Sequence, residues 1–381
     1  MRAALATAQA FAWVIAFQYF FSISLTFAGA MLGVLLVYIL SQVVTILLTP
    51  LSGARLRRGF RPLMAYGVLA IAGAFMAFGI GAERLYPNFS VFEGILVFSV
   101  LFGAYRALYW IPYGVSTSMH KKVRPFTRFA TDTLIAVLPF VAGLILLVPF
   151  GMVTVFLSAG VLVLLSLPLL GGIRDRKERY VWGYKETFKA LFDGRYQGLV
   201  LNSIVSGAES AALFLIWPIA VFLIMGQRYD SLGAILSATL LALLGGKVLA
   251  RKLSTKWSFE STPVMEASVV FSAWIMRLVA AAPIAIIAVD TYYHLGAPRR
   301  FEGPYAVGGF EQAGDGGTYV DELTALKEIA LAGGRVGLCA IALGLLPFES
   351  PALILAIPIL VAAVAAAVSV MLAHTATPSA F

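Results

Sequence analysis

Long apolar segments alternate with short polar segments along almost the whole chain. A helix needs about 20 apolar residues to cross the hydrocarbon core of a bilayer, because it rises about 1.5 Å per residue. On that scale the pattern predicts twelve membrane-spanning helices. They cover residues 4–24, 29–49, 63–82, 90–113, 129–150, 152–170, 198–225, 231–250, 264–282, 284–298, 329–346 and 351–373.

One polar segment, GGIRDRKERYVWGYKETFKALFDGRY (171–196), is the longest in the first two thirds of the chain. Its charges and its later FKALF pattern predict a cytoplasmic linker that ends in an amphipathic helix at the membrane surface. The linker, residues 171–197, would separate six spans in residues 1–170 from six spans in residues 198–381.

The composition agrees with a lipid environment. The chain has 381 residues, of which 60% are hydrophobic and 12% charged, and its mean hydropathy is +0.90. A soluble protein of this length could not bury that much apolar surface. The net charge of +9 does not indicate nucleic acid, because the basic residues lie in short runs between apolar spans. The single cysteine and the three scattered histidines show no metal-ligand spacing, so we expect no metal and no other cofactor.

The basic residues also predict the orientation. With the N-terminus in the cytoplasm, 23 of the 28 Lys and Arg residues lie on the cytoplasmic side, and only Arg84 and Arg228 lie outside. This bias indicates a multi-pass protein of the cytoplasmic membrane with both termini in the cytoplasm. TFAGA (26–30) resembles a signal-peptide cleavage site, but the apolar run before it is long for a signal sequence. We therefore expect the first helix to be retained.

Two basic loops, PLSGARLRRGFRP (50–62) and GGKVLARKLSTKW (245–257), share the pattern Gly-x-x-x-x-Arg at an offset of 193 residues. The shared residues are Gly53 and Arg58 in the first loop and Gly246 and Arg251 in the second. Together with the six-plus-six division, this pattern predicts a duplicated half, as transporters have. The alternative interpretation is that the arginines only enforce topology.

On these features the chain resembles the major facilitator superfamily over its whole length. That family carries G-x-x-x-D-R-x-G-R/K-R/K between helices two and three, and Gly53 and Arg58 match its glycine and first arginine. Arg57 stands where the family has an aspartate that helps to latch the two halves, and Ala250 stands there in the second copy. The resemblance implies an all-α integral membrane protein with twelve transmembrane helices in two pseudo-symmetric six-helix bundles.

The resemblance also implies that spans one, four, seven and ten line a central cavity, and the polar residues of the chain concentrate there. The candidates for substrate binding are Gln18, Tyr19, Arg106, Tyr109, Asn202, Glu209 and Tyr293. Arg106 and Glu209 lie about 12 Å and 16 Å from the cytoplasmic ends of their spans.

An isolated arginine at such depth costs about 3 kcal/mol or more. We therefore expect Arg106 to face the cavity, to pair with Glu209 in the empty site and to bind a negative group of the substrate. Snorkelling of Arg106 to the cytoplasmic headgroups is the alternative.

Arg277 and Asp290 form a second candidate pair. They lie six and seven residues on either side of Pro283, which we expect at an outer turn, so their depths should be equal. A structural salt bridge is the expected arrangement, and a proton or cation relay is the alternative. Because a buried carboxyl group can bind and release a proton, Glu209 and Asp290 are the candidates for proton coupling.

The predicted function is secondary active transport of a small solute by alternating access, with an anionic solute as the candidate. An enzyme is not expected, because the sequence has no histidine cluster and no paired external carboxylates, and the glycine-rich segment 303–319 lacks the context of a phosphate-binding loop. A lipid or lysolipid flippase on the same scaffold and a non-transporting membrane scaffold are the alternatives. The expected partners are the bilayer, a small-molecule substrate, and protons or another coupling ion. We expect a monomer and no nucleic acid.

Overall fold

The structure is a computed structural model that describes residues 2–83, 85, 88–117, 125–172, 175, 180–254, 262–296 and 320–375. These residues form helices and connecting turns, with no strand among them. The α-helices are α1 (Arg2–Ser24), α2 (Phe27–Arg55), α3 (Phe60–Ala82), α4 (Val91–Thr117), α5 (Pro125–Ile145), α6 (Gly151–Leu164), α7 (Leu167–Leu170), α8 (Tyr184–Ala190), α9 (Gln197–Ala211), α10 (Trp217–Ile224), α11 (Tyr229–Ser254), α12 (Pro263–Arg277), α13 (Pro283–Gly296), α14 (Val320–Leu345) and α15 (Pro351–Thr375).

Eight helical segments in the described residues are long and apolar enough to cross a membrane. They are Phe27–Arg58, Phe60–Ala82, Val91–Tyr113, Gly151–Leu170, Gly194–Ile224, Tyr229–Leu249, Glu322–Phe348 and Pro351–Ala373. The chain is therefore a multi-pass membrane protein. Helices α1, α5, α12 and α13 cover the other four predicted spans. The count of twelve spans and the division into two six-helix bundles stay predictions.

Small residues bring several helices into close contact. A Cβ atom added at Gly143 of α5 would lie 2.6 Å from the carbonyl oxygen of Tyr229, and one added at Gly233 of α11 would lie 2.4 Å from that of Pro139. Beside Pro139, the Phe140 N–H donates to Ser237 Oγ of α11 at 2.8 Å. Helices α5 and α11 thus pack backbone to backbone, which joins the chain before the linker to the chain after it.

Three other helix pairs also join the chain before the linker to the chain after it. Helix α14 packs against both α2 and α4, and α1 packs against α10. Helix α14 also packs against α9 and α15, which follow the linker. This helix therefore has neighbours from both parts of the chain, and its polar residues meet groups from both.

The seventh predicted span is interrupted at its centre. Helix α9 ends at Ala211, a π-helical turn covers Ala212–Ile216, and α10 begins at Trp217. Pro218 follows directly, and proline lacks the N–H that a regular helix would use there. The wider π turn accommodates this missing donor.

Candidate functional site

Arg106 and Glu328 form a salt bridge between α4 and α14. The distance from Arg106 Nη2 to Glu328 Oε2 is 3.4 Å, and both side chains are largely buried. Arg106 Nε is a buried donor without a hydrogen-bond partner among the described residues. The guanidinium group therefore faces α14 and does not snorkel to the headgroups.

Glu209 lies in a different environment from the one predicted. It accepts hydrogen bonds from Trp274 Nε1 on α12, at 3.2 Å, and from the hydroxyl group of Tyr293 on α13. The predicted pairing of Arg106 with Glu209 is therefore wrong. Successive residues of a helix point about 100° apart, and it is the next residue, Ser210, that faces α14.

Arg335 occupies the position opposite Ser210. It is 5% exposed, and its Nε donates to Ser210 Oγ of α9 at 2.9 Å. Its Nη1 donates to Gln42 Oε1 of α2 at 3.2 Å. Arg335 lies two helical turns beyond Glu328 on the same helix, and it is within electrostatic reach of both Arg106 and Glu328. One cluster thus contains two guanidinium groups and one carboxylate.

Arg277 and Asp290 form the salt bridge that their spacing predicts. Arg277 Nε and Nη2 both lie 2.9 Å from Asp290 Oδ1, and Trp217 Nε1 donates to Asp290 Oδ2 at 3.0 Å. The guanidinium carbon of Arg277 lies 4.0 Å from the ring centroid of Trp274 and 4.4 Å from that of Tyr293. Electron-rich ring faces attract a cation at such distances, so these rings and Asp290 together stabilise the buried charge.

The Glu209 and Asp290 environments form one continuous network. Trp274 and Tyr293 donate to Glu209, and their rings contact the guanidinium group of Arg277. This network connects α9, α12 and α13, all of which follow the linker. Tyr293 is 1% exposed, and its hydroxyl group donates to Glu209. It therefore belongs to this network and not to the cluster around Arg106.

Two of the remaining candidates connect helices. Gln18 of α1 accepts a hydrogen bond from the hydroxyl group of Tyr229, the first residue of α11. Asn202 Oδ1 of α9 accepts one from Ser369 Oγ of α15 at 3.0 Å. The structure therefore places these polar groups at helix contacts distinct from the Arg106–Glu328 salt bridge.

Tyr19 and Tyr109 are half-buried and lie in aromatic contacts. The Tyr19 ring packs against Phe20 at 5.3 Å, and the Tyr109 ring stacks on Tyr113 at 5.4 Å. A Cβ atom at Gly67 of α3 would lie 2.7 Å from Tyr109 Cβ, so Tyr109 also fills the contact between α3 and α4.

The first basic loop contacts the linker. A Cβ atom at Gly53 would lie 2.5 Å from the ring of Tyr180, and Arg57 Nη2 donates to the Tyr180 carbonyl oxygen at 2.7 Å. The next N–H, that of Val181, donates to Glu322 Oε1 of α14 at 2.6 Å. We call these five residues the linker clamp, because they hold residues 180–181 between the end of α2 and the start of α14.

The other loop positions behave differently. Arg58 is exposed. A Cβ atom at Gly246 would lie 2.6 Å from Leu295 Cδ1, so this glycine permits close packing of α11 on α13. Arg251 lies in α11, and its side chain is outside the described residues.

Three polar residues of α14 were not predicted as site residues: Glu322, Glu328 and Arg335. The run YVDELTALKEIA (319–330) predicts a partly amphipathic helix that starts the eleventh span, and α14 begins at Val320. The sequence feature that could have identified Glu328 and Arg335 is their seven-residue spacing, which places both on one helix face.

No protein-family model and no curated protein sequence matches the chain. Among solved structures, the xylose transporter XylE from E. coli, in a partially occluded inward-open conformation, has a TM-score of 0.61 at 14% identity, covering 99% of this chain and 96% of that one. A bacterial homologue of the iron transporter ferroportin, in its outward-facing state, has a TM-score of 0.60 at 14% identity, covering 98% of each chain.

Two further structures agree with these. The human organic anion transporter MFSD10 has a TM-score of 0.54 at 13% identity, covering 98% of this chain and 97% of that one. The major facilitator superfamily transporter FucP, in its outward conformation, has a TM-score of 0.54 at 14% identity, covering 99% of each. These proteins are solute carriers and not enzymes. The chain has, over nearly its full length, the fold of the major facilitator superfamily.

Proposed function

We propose that this protein is a secondary active transporter that moves a small solute with a negative group across the cytoplasmic membrane. Residues 1–170 and 198–381 act as two bundles that alternate around a site at the Arg106–Glu328 salt bridge. This salt bridge is the observation that carries the proposal, because it joins the two parts of the chain through groups that a charged solute can separate.

The salt bridge gives substrate binding a direct effect on the contact between the bundles. An anionic group that binds Arg106 competes with Glu328 for the same guanidinium group. When the solute replaces Glu328, α4 and α14 lose their mutual attraction at this point. A ligand shifts a conformational equilibrium only by its differential affinity for the two states, and this exchange supplies such a difference.

Proton coupling is assigned to Glu209, with Asp290 as its neighbour in the network. Asp290 bonds directly to Arg277, which balances its charge. Glu209 accepts hydrogen bonds from Trp274 and Tyr293, which are neutral donors. The Glu209 oxygen can accept these two hydrogen bonds in either protonation state, whereas protonation of Asp290 would leave Arg277 without its partner. This difference makes Glu209 the proposed proton-coupling group.

Paired spin labels on the two sides of the protein test alternating access. The native thiol, Cys339, is first removed by Cys339→Ala. Labels at Arg58 and Leu249 then report on the cytoplasmic side, and labels at Phe150 and Arg228 report on the outer side. We expect two populated distances for each pair in proteoliposomes. When pH or an added anion changes the populations, one pair should lengthen as the other shortens. Unchanged single distances for both pairs would contradict alternating access.

A further inference from the structure

Arg335 brings a second buried positive charge into the proposed site, from the bundle opposite to that of Arg106. It is 5% exposed, and it lies ten residues before the end of α14 at Leu345, or about 15 Å along the helix. That depth is close to the middle of a bilayer, where a charged side chain is costly unless it faces a polar group, water or a ligand.

The groups bonded to Arg335 are neutral. Its hydrogen bonds go to the hydroxyl group of Ser210 and to the amide oxygen of Gln42. Neutral acceptors satisfy donors without cancelling the charge. The carboxylate within electrostatic reach is that of Glu328, which already bonds to Arg106. Counted over the described residues, two guanidinium groups and one carboxylate give this cluster one net positive charge.

One guanidinium donor remains available in this cluster. Arg106 Nε is buried, and it has no hydrogen-bond partner among the described residues. An unsatisfied buried donor costs about 1–3 kcal/mol, and more when it belongs to a charged group. The cluster therefore lacks both a negative charge and a hydrogen-bond acceptor.

We propose that the central site selects a solute with a single negative charge on an oxyanion, such as a monocarboxylate, which Arg106 and Arg335 hold jointly from the two bundles. The proposal rests on the proposed transport function and defines its substrate class. A monoanion brings the net charge of the two guanidinium groups and Glu328 to zero, also when it displaces Glu328 from Arg106. A dianion would leave an excess negative charge, so it is the poorer ligand unless Glu328 is removed.

Binding to the purified protein in detergent tests the proposal without transport. The probes are the monoanion lactate, the neutral analogue lactamide and the dianion succinate, measured by thermal shift and titration calorimetry at constant chloride concentration. We expect lactate to bind in preference to both other probes. Arg335→Gln should weaken lactate binding about tenfold or more, because it removes a charge-assisted contact. Arg195→Gln, which removes an exposed arginine, should leave lactate binding unchanged.

Glu328→Gln distinguishes a ligand-binding role of Arg335 from a purely structural one. Loss of the competing carboxylate leaves two net positive charges, so the preference should move from lactate toward succinate, and lactate itself should bind more tightly. Arg335→Lys keeps the charge and should retain part of the affinity that Arg335→Gln loses.

Three outcomes would overturn the proposal. They are equal binding of lactate and lactamide, unaltered lactate binding in Arg335→Gln, and no binding by any member of a monocarboxylate panel from acetate to benzoate. The spin-label distances can still alternate in each of these cases, so failure of the substrate class is distinguishable from failure of the transport function.

Discussion

Asp290 and Glu209 are two buried carboxylates of one network, but their roles differ because their partners differ. Asp290 bonds to Arg277, which is 2% exposed, so removing the carboxylate would leave an unpaired charge in an apolar interior. Glu209 accepts from Trp274 and Tyr293, and the side-chain oxygen of a glutamine could accept the same two hydrogen bonds. Neutralising substitutions at the two positions should therefore have separable effects.

We expect Asp290→Asn to lower the free energy of unfolding by about 3 kcal/mol or more, because it breaks a buried ion pair. Thermal unfolding in detergent measures this loss. The double variant Asp290→Asn with Arg277→Met should recover much of it, since no charge is then left without its partner. No recovery in the double variant would show that the ion pair is not the cause. Asp193→Asn, at an exposed pair, is the control and should unfold like the wild type.

Glu209→Gln should instead leave stability nearly unchanged and remove the pH dependence of the spin-label distances. The reason is that the hydrogen bonds remain while the titrating proton is lost. If the distances of Glu209→Gln still respond to pH as in the wild type, Glu209 does not couple protons to the conformational change.

The sequence predicted which residues are polar and how deep they lie, but not the direction in which each one faces. Equal depth correctly predicted the pairing of Arg277 with Asp290, because these residues lie on consecutive helices joined by a short turn. Arg106 and Glu209 belong to distant segments, so equal depth did not determine whether they meet. One position along α9 separates Glu209, which faces α12 and α13, from Ser210, which faces α14.

At the scale of elements, the linker clamp includes Arg57, which stands at the position of the aspartate that the first basic loop lacks. Arg57 stands at that position and bonds to the backbone of Tyr180, and the adjacent residue of the linker bonds to α14. The linker thus mediates a contact between two segments that lie on either side of it in the sequence. The sequence did not predict the linker clamp, because the backbone donor of Val181 and the backbone acceptor of Tyr180 leave no pattern in the side chains.

We expect Gly53→Ala to displace Tyr180 and loosen the linker clamp, because the new Cβ atom would lie 2.5 Å from the ring. Limited proteolysis with trypsin measures the effect as faster cleavage after the basic residues of 174–179. Gly245→Ala is the matched control, since nothing lies within 4 Å of a Cβ atom at that position. Equal cleavage rates in the two variants would exclude a clamping role for Gly53.

At the start of α14, the sequence predicted a partly amphipathic helix but not the groups that its charged residues contact. Charged residues in 319–330 reduce its hydropathy, and the apolar scale therefore placed the beginning of the span at 329. In the structure, Glu322 accepts a hydrogen bond from the linker and Glu328 forms a salt bridge with α4. Hydropathy alone does not distinguish a polar helix end with buried partners from a solvated loop.

At the scale of the whole molecule, the predicted topology places the linker and the Gly226–Arg228 turn on opposite sides of the membrane. Phe192 is an 85% exposed residue of the linker, and Arg228 is an exposed residue of the turn. Each is replaced by cysteine in the Cys339→Ala background. We expect a membrane-impermeant maleimide to label Arg228→Cys in intact cells and Phe192→Cys only after the membrane is opened. Labelling of Phe192→Cys in intact cells would show that the orientation is opposite to the predicted one.

The π-helical turn at Ala212–Ile216 divides one membrane span into two pieces with different neighbours. Helix α9, before the turn, packs against α14 and α15 and carries Glu209 and Ser210. Helix α10, after it, packs against α1 and α11. A turn with one extra residue and a proline beside it bends at lower cost than a regular helix. Under the proposed alternating access, we expect the span to bend at this turn, so that α10 moves with α1 and α11 while α9 keeps its hydrogen bonds to Arg335, Trp274 and Tyr293.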